Sequence, residues 1–131
     1  MGIQAMGVDL TAVAPDTRHD LTQPLRLDFA DFDLILCLEV AEHLPEDAAW
    51  TLCETISYHK HANSRLVFSA ALPGQSGEGH VNCQPPIYWR EMLYDAGKWS
   101  YREDLTVKLA LILSQTAGPL ANWLPANVQV F

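Results

Sequence analysis

The sequence predicts an α/β fold, a mostly parallel sheet flanked by helices, and three observations carry that prediction. The run Phe-Asp-Leu-Ile-Leu-Cys-Leu at 32–38 is short, apolar and bounded by charge, as a strand buried on both faces of a parallel sheet reads. A second such run occupies 65–71 and ends at Pro73-Gly74. Segments with helical spacing follow each of them, at 45–58 and 86–96, which gives the alternation of strand and helix that builds such sheets.

In chain order, 3–10 reads as a short strand ending at Asp9, and 11–18 as a loop, because it holds Pro15 and few periodic apolar residues. His19-Asp20-Leu21 reads as a brief strand or bridge before a turn at Gln23-Pro24. The central strand at 32–38 then runs straight into Glu39, Glu42 and His43. Side chains at the carboxyl end of such a strand sit where open α/β sheets bind ligands. Pro45 suits a first helical position, and Glu46 and Asp47 complement the positive end of a helix. Ala49, Leu52, Cys53 and Ile56 then form an apolar stripe. The segment 74–79 is a loop with three glycines. In the second helix Trp89, Met92, Leu93 and Ala96 share a face and Gly97 is the expected stop. Residues 99–102 fit a strand. The stretch 105–113 fits either period, and helix is preferred with Asp104 as cap. A short helical turn at 119–124 and a terminal strand at 127–131 close the chain.

With 131 residues, 49% hydrophobic and 18% charged, the chain suits a single domain with a packed core. Eight basic against sixteen acidic residues give a formal charge of −8, which disfavours nucleic acid and anionic membranes as partners. No apolar run approaches the roughly 20 residues that cross a bilayer, and no signal segment opens the sequence. Cys37, Cys53 and Cys83 are odd in number and lack CxxC spacing, which suits reduced thiols in a cytoplasmic protein. Cys37, within the apolar run, is expected in the core.

Glu39, Glu42 and His43 are spaced i, i+3, i+4, so a helical turn after Leu38 projects all three from one side. His80 follows the next strand, and neighbouring parallel strands bring their carboxyl ends together. The mixed oxygen and nitrogen set Glu39, Glu42, His43 and His80 suits Mg2+ or Mn2+, with Zn2+ less favoured. Without a metal, His80 or His43 serves as a general base and Glu42 or Glu39 orients it. The bland alternative is that Glu42-His43 caps the following helix and His80 bonds a loop carbonyl.

Gly7-Val8-Asp9, His19-Asp20-Leu21 and the block from Phe32 to Leu44, in that order, resemble the carboxyl-terminal three-quarters of a class I S-adenosylmethionine-dependent methyltransferase. Gly79-His80-Val81-Asn82-Cys83-Gln84-Pro85 with Tyr88-Trp89 resembles the substrate-side loop of a small-molecule branch. The resemblance implies a Rossmann-like sheet and S-adenosylmethionine as cofactor. It also implies methyl transfer to a hydroxyl of a small or sugar-like acceptor. By the same resemblance Asp9 and Leu10 lie at the ribose, Asp20 and Leu21 at the adenine, and Leu38 and Glu39 along the cofactor's other side. Glu-x-x-Glu-His with a distant His resembles the metal set of RNA 2′-O-methyltransferases. The family's first strand and glycine-rich turn have no counterpart before Gly7, so 1–131 is expected to be a partial, amino-terminally truncated domain. A missing strand would leave an open sheet edge, and the competing expectation is a non-catalytic module that forms a homodimer through that edge.

Overall fold

A computed structural model describes the chain except residues 1, 12–15, 29–30, 117 and 119–120. It is a mixed α/β structure whose described strands form two sheets. The first pairs β1 (Val8–Asp9) with β2 (Thr17–Arg18) in parallel. The second has the order β3 (Phe32–Leu38), β4 (Lys60–Ser69), β5 (Gln129–Val130), parallel between β3 and β4 and antiparallel between β4 and β5. Helix α1 (Ala49–Tyr58) joins β3 to β4, and α2 (Pro86–Gly97), α3 (Glu103–Thr116) and α4 (Leu124–Asn127) follow β4. Among the described residues no helix is long and apolar enough to cross a membrane.

One face of the larger sheet makes the core. Cys37, Leu66 and Phe68 are buried on it against Leu52, Cys53 and Ile56 of α1 and Trp89 and Leu93 of α2. The Phe68 and Trp89 rings lie 5.4 Å apart, a contact whose favourable term adds to area burial. The predicted stripe of α1 and the predicted face of α2 are the surfaces they bury. Helices α1 and α2 approach so closely at Gly97 that a side chain there would collide with Ser57 Oγ. Gly97 therefore belongs inside the helix, and Lys98 makes the left-handed cap at φ 55° that was expected of the glycine.

The central strand departs from expectation. Leu34, Leu36 and Leu38 are 54%, 60% and 39% exposed, so β3 is buried on one face instead of two. Among the described residues β3 pairs only with β4, which makes it an edge strand. A run of leucines does not say how many layers cover it.

Smaller corrections follow the same logic of local pattern against tertiary pairing. The strand expected at 3–10 is the two-residue β1, and the brief strand expected at 19–21 lies earlier, at β2, inside the segment read as loop. The strand expected at 65–71 begins at Lys60, with a register shift opposite Phe32 and Leu34. Residues 99–102 form no strand; Arg102 donates one backbone bond to Val130 at 2.8 Å while Trp99 is buried in the core. The ambiguous stretch at 105–113 is helical. The helical turn expected at 119–124 falls partly outside the described residues, and α4 begins at Leu124. Asn127 ends that helix, leaving the terminal strand to 129–130.

Candidate functional site

At the carboxyl end of β3 the chain leaves the sheet through Glu39, whose φ of 52° lies in the left-handed region that costs a non-glycine residue about 1–2 kcal/mol. The Glu39 amide is held there by Ser69 at the end of β4, donating to its carbonyl at 3.0 Å and its hydroxyl at 3.1 Å. Backbone strain held by a neighbouring strand points to a site where side-chain direction matters. The next residues make the expected helical turn, a single 3₁₀ turn at Ala41–His43.

Glu42 is fully buried within that turn. Its carbonyl accepts the amides of Val81 at 2.8 Å and Asn82 at 3.0 Å, which staples the loop carrying His80 to the turn. One carboxylate oxygen, Oε1, accepts the Ala71 amide at 3.2 Å, and the other, Oε2, is buried and accepts no hydrogen bond from an N–H or hydroxyl among the described residues. Burial pushes the Glu42 carboxyl above the usual carboxylate range, and the charge and hydrogen bond of neighbouring Glu39 push the same way.

The two imidazoles meet edge to face, with ring centroids 5.0 Å apart. His43 Nδ1 donates to the Gly79 carbonyl at 3.2 Å, and His80 Nδ1 donates to the Gln75 carbonyl at 3.1 Å. Each ring therefore spends Nδ1 on the loop and leaves Nε2 outside those bonds, that of His80 lying against Gly77. Two glycines make room for them. A side chain at Gly77 would collide with the His80 ring, and one at Gly79, where φ is +72°, would come within 3.2 Å of His43 Nδ1. A ligand-competent atom from each of Glu42, His43 and His80 lies within 4.8 Å of the other two.

Glu39 stands outside that trio. Its two carboxylate oxygens accept Asn127 Nδ2 at 3.3 and 3.4 Å, and the same amide donates to Gln75 Oε1 at 3.0 Å. Gln75, Asn127 and Ser69 are site residues that sequence reading missed. Gln75 sits in a glycine-rich loop where polar residues are unremarkable, and Asn127 in a terminal run that reads as a strand. Neither position carries a local signal, because the burial that obliges the Asn127 amide to bond is set by the tertiary structure.

Cys83, half-buried, places Sγ 3.8 Å from His80 Nδ1. Two surface hollows, one bordered by Arg90, Tyr94 and Tyr101 and the other by Arg26, Thr55 and Tyr58, are lined by none of these site residues.

On the smaller sheet, exposed Asp9 ends β1 and accepts the Thr11 amide at 2.6 Å, with Leu10 exposed beside it. Asp20 is a turn residue: Oδ1 accepts the Thr22 amide at 2.9 Å, and those Thr22 bonds hold its carboxyl below the usual range. Leu21 packs half-buried against the main core. Asp9 and Asp20 thus follow the ends of two paired parallel strands, and Leu38 and Glu39 the end of a strand in the other sheet.

No protein-family model matches this sequence, and no curated protein does. Among the solved structures to which the chain is similar are one described as a pericyclic reaction enzyme and one described as a LepI variant in complex with SAH and a substrate analogue. Each is 14% identical with a TM-score of 0.49, over 72% of this chain and 31% of that one, so the chain spans less than a third of their length.

Proposed function

We propose that this chain is an S-adenosylmethionine-dependent methyltransferase, or part of one, acting on a hydroxyl of a small or sugar-like molecule. The observation that carries the reading is the convergence of Glu42, His43 and His80 beyond the carboxyl ends of two parallel strands, with the buried Glu42 carboxyl set against that of Glu39. A buried carboxyl beside another is costly to ionise and asks for a proton or a cation.

The donor chemistry suits the cofactor. Carboxylates at Asp9 and Asp20 would accept hydrogen bonds from a ribose diol and an adenine amino group, with Leu10 and Leu21 beside them, and Leu38 and Glu39 would border the other side. When bound, that cofactor supplies an electrophilic methyl group. The chain's own task is then alignment and proton removal. Nε2 of His80 or His43 takes the acceptor hydroxyl's proton, and Glu42 sets the polarity beside them. Glu42, His43 and His80 also fit a divalent cation such as Mn2+ or Mg2+, which would position and acidify the same hydroxyl; Glu39 would join them only by leaving Asn127.

Calorimetric titration with S-adenosylmethionine, with solution mass measured in parallel, tests the reading. Saturable binding by a monomer supports it, and absence of binding by folded protein defeats it. For the cation, Mn2+ should raise the melting temperature of the native chain and not of Glu42→Ala; equal shifts would retire the metal.

A second reading rests on the exposure of Leu34, Leu36 and Leu38 along an edge strand that lacks Lys and Pro. Such an edge invites a further strand, and in this reading a second copy of the chain supplies it without catalysis. A stable dimer indifferent to S-adenosylmethionine is its signature.

A further inference from the structure

The carboxyl-terminal segment reaches back across the sequence to the site. Asn127 lies 88 residues beyond Glu39 and 52 beyond Gln75, yet one amide group bonds both side chains. It is 1% exposed, and among the described residues its bonds run through Nδ2 alone, Oδ1 being buried with no hydrogen-bond partner. Gln75 is the link onward. Its side-chain oxygen accepts both Asn127 Nδ2 and the Leu72 amide, at 3.0 and 2.8 Å, and its carbonyl accepts His80 Nδ1 at 3.1 Å. Asn127 therefore joins the carboxylate at the end of β3 to the loop that orients His80. The neighbouring strand β5 anchors the amide from behind: Phe131 and Leu66 exchange backbone bonds at 2.9 and 3.2 Å, and Val130 donates to Thr106 Oγ1 at 2.9 Å.

We infer that Asn127 is a positioning residue, which through Gln75 fixes the His80 imidazole and through its own amide fixes the Glu39 carboxylate. The site is then complete only when the terminal segment is docked. This inference deepens the methyltransferase reading and rests on it for its catalytic meaning. The geometry itself is independent of any cofactor.

The test is NMR of the His80 and His43 ring signals, which report on each other through the edge-to-face contact, with amide exchange at Leu72. Asn127→Asp removes the donor while keeping the volume. It should displace the His80 ring signals and speed Leu72 exchange by about fivefold, the size expected for one lost hydrogen bond. Adding Glu39→Gln reverses the polarity, with the amide now donating from position 39, and should restore the Glu39 half of the junction. Gln75 Oε1 still lacks its donor there, so the His80 ring signals should stay displaced while the stability lost to two facing carboxylates returns, which separates the two arms of the junction. Gln75→Leu, on a half-exposed loop position, should displace His80 alone and decides the matter if Asn127→Asp does not fold. Native ring signals in folded Asn127→Asp, or in Gln75→Leu, would overturn the inference, as would full return of the His80 signals in the double variant. Calorimetry with S-adenosylmethionine on the unmodified chain separates the two ideas: no binding defeats the methyltransferase reading while the ring signals still judge Asn127.

Discussion

The two faces of the larger sheet carry similar side chains and meet opposite surroundings. On one, Leu66 and Phe68 of β4 are fully buried beneath α1 and α2; on the other, Leu34 and Leu36 of β3 are more than half exposed. The difference teaches that apolar character records what a strand is able to bury, whereas burial is decided by which elements arrive to cover it. The site lies where the two regimes meet. Glu42 is sealed in the covered layer, and His43 is exposed beside it.

Core truncation should separate the faces most strongly. Phe68→Ala is expected to cost about 3–5 kcal/mol and Leu66→Ala about 2–5, while Leu36→Ala, at 60% exposure, should stay within about 0.5 kcal/mol in urea unfolding. A large loss for Leu36→Ala would mean that the face is covered in solution, and would sharpen the dimer reading.

Gly79→Ala comes next. At φ +72° an alanine meets both the left-handed penalty and His43, for about 1–2 kcal/mol by thermal unfolding. Gly77→Ala should instead move the His80 ring while leaving that backbone penalty out. Equal stability losses at both positions would break the distinction between backbone and imidazole crowding.

A pH effect should mark the sealed side. The Glu42 carboxyl titrates above its ordinary value of 4.5, so the folded chain holds a proton that the unfolded chain releases. Its contribution is fully present below about pH 4.5 and fades as pH rises through the raised folded value. Glu42→Gln should match the native chain at low pH and exceed its stability increasingly toward neutrality, because its amide replaces the retained proton as donor. A constant difference across that range would show that Glu42 is ionised in the folded state.

The smallest effect is chemical and leaves stability untouched. Burial raises the thiols of Cys37 and Cys53, the latter to about 12, while Cys83 is half-exposed. Iodoacetamide at neutral pH should give one adduct, at Cys83, in the native chain and three in denaturant, read by mass spectrometry. Native labelling of Cys37 would mean that the core face opens.

Sequence reading recovered what local periodicity encodes. The stripe Ala49, Leu52, Cys53, Ile56 and the face Trp89, Leu93 are the surfaces that pack, and the spacing of Glu42 and His43 foretold that they share a turn. It also brought His80 to them, because parallel strands align their carboxyl ends. Glu39 was grouped with them on spacing alone, and Asn127 was passed over.

By itself, then, the sequence determined the buried faces of α1 and α2, the existence of β3 and β4, and the neighbourhood of Glu42, His43 and His80, to which it added Glu39, since each follows from side chains a few residues apart or from strand direction. Only the tertiary structure decided that β3 has one covered face, that Gly97 lies within its helix, and that Asn127 holds Glu39 and Gln75. Those outcomes depend on contacts between residues far apart in the chain, and neither periodicity nor spacing contains the distance between such residues.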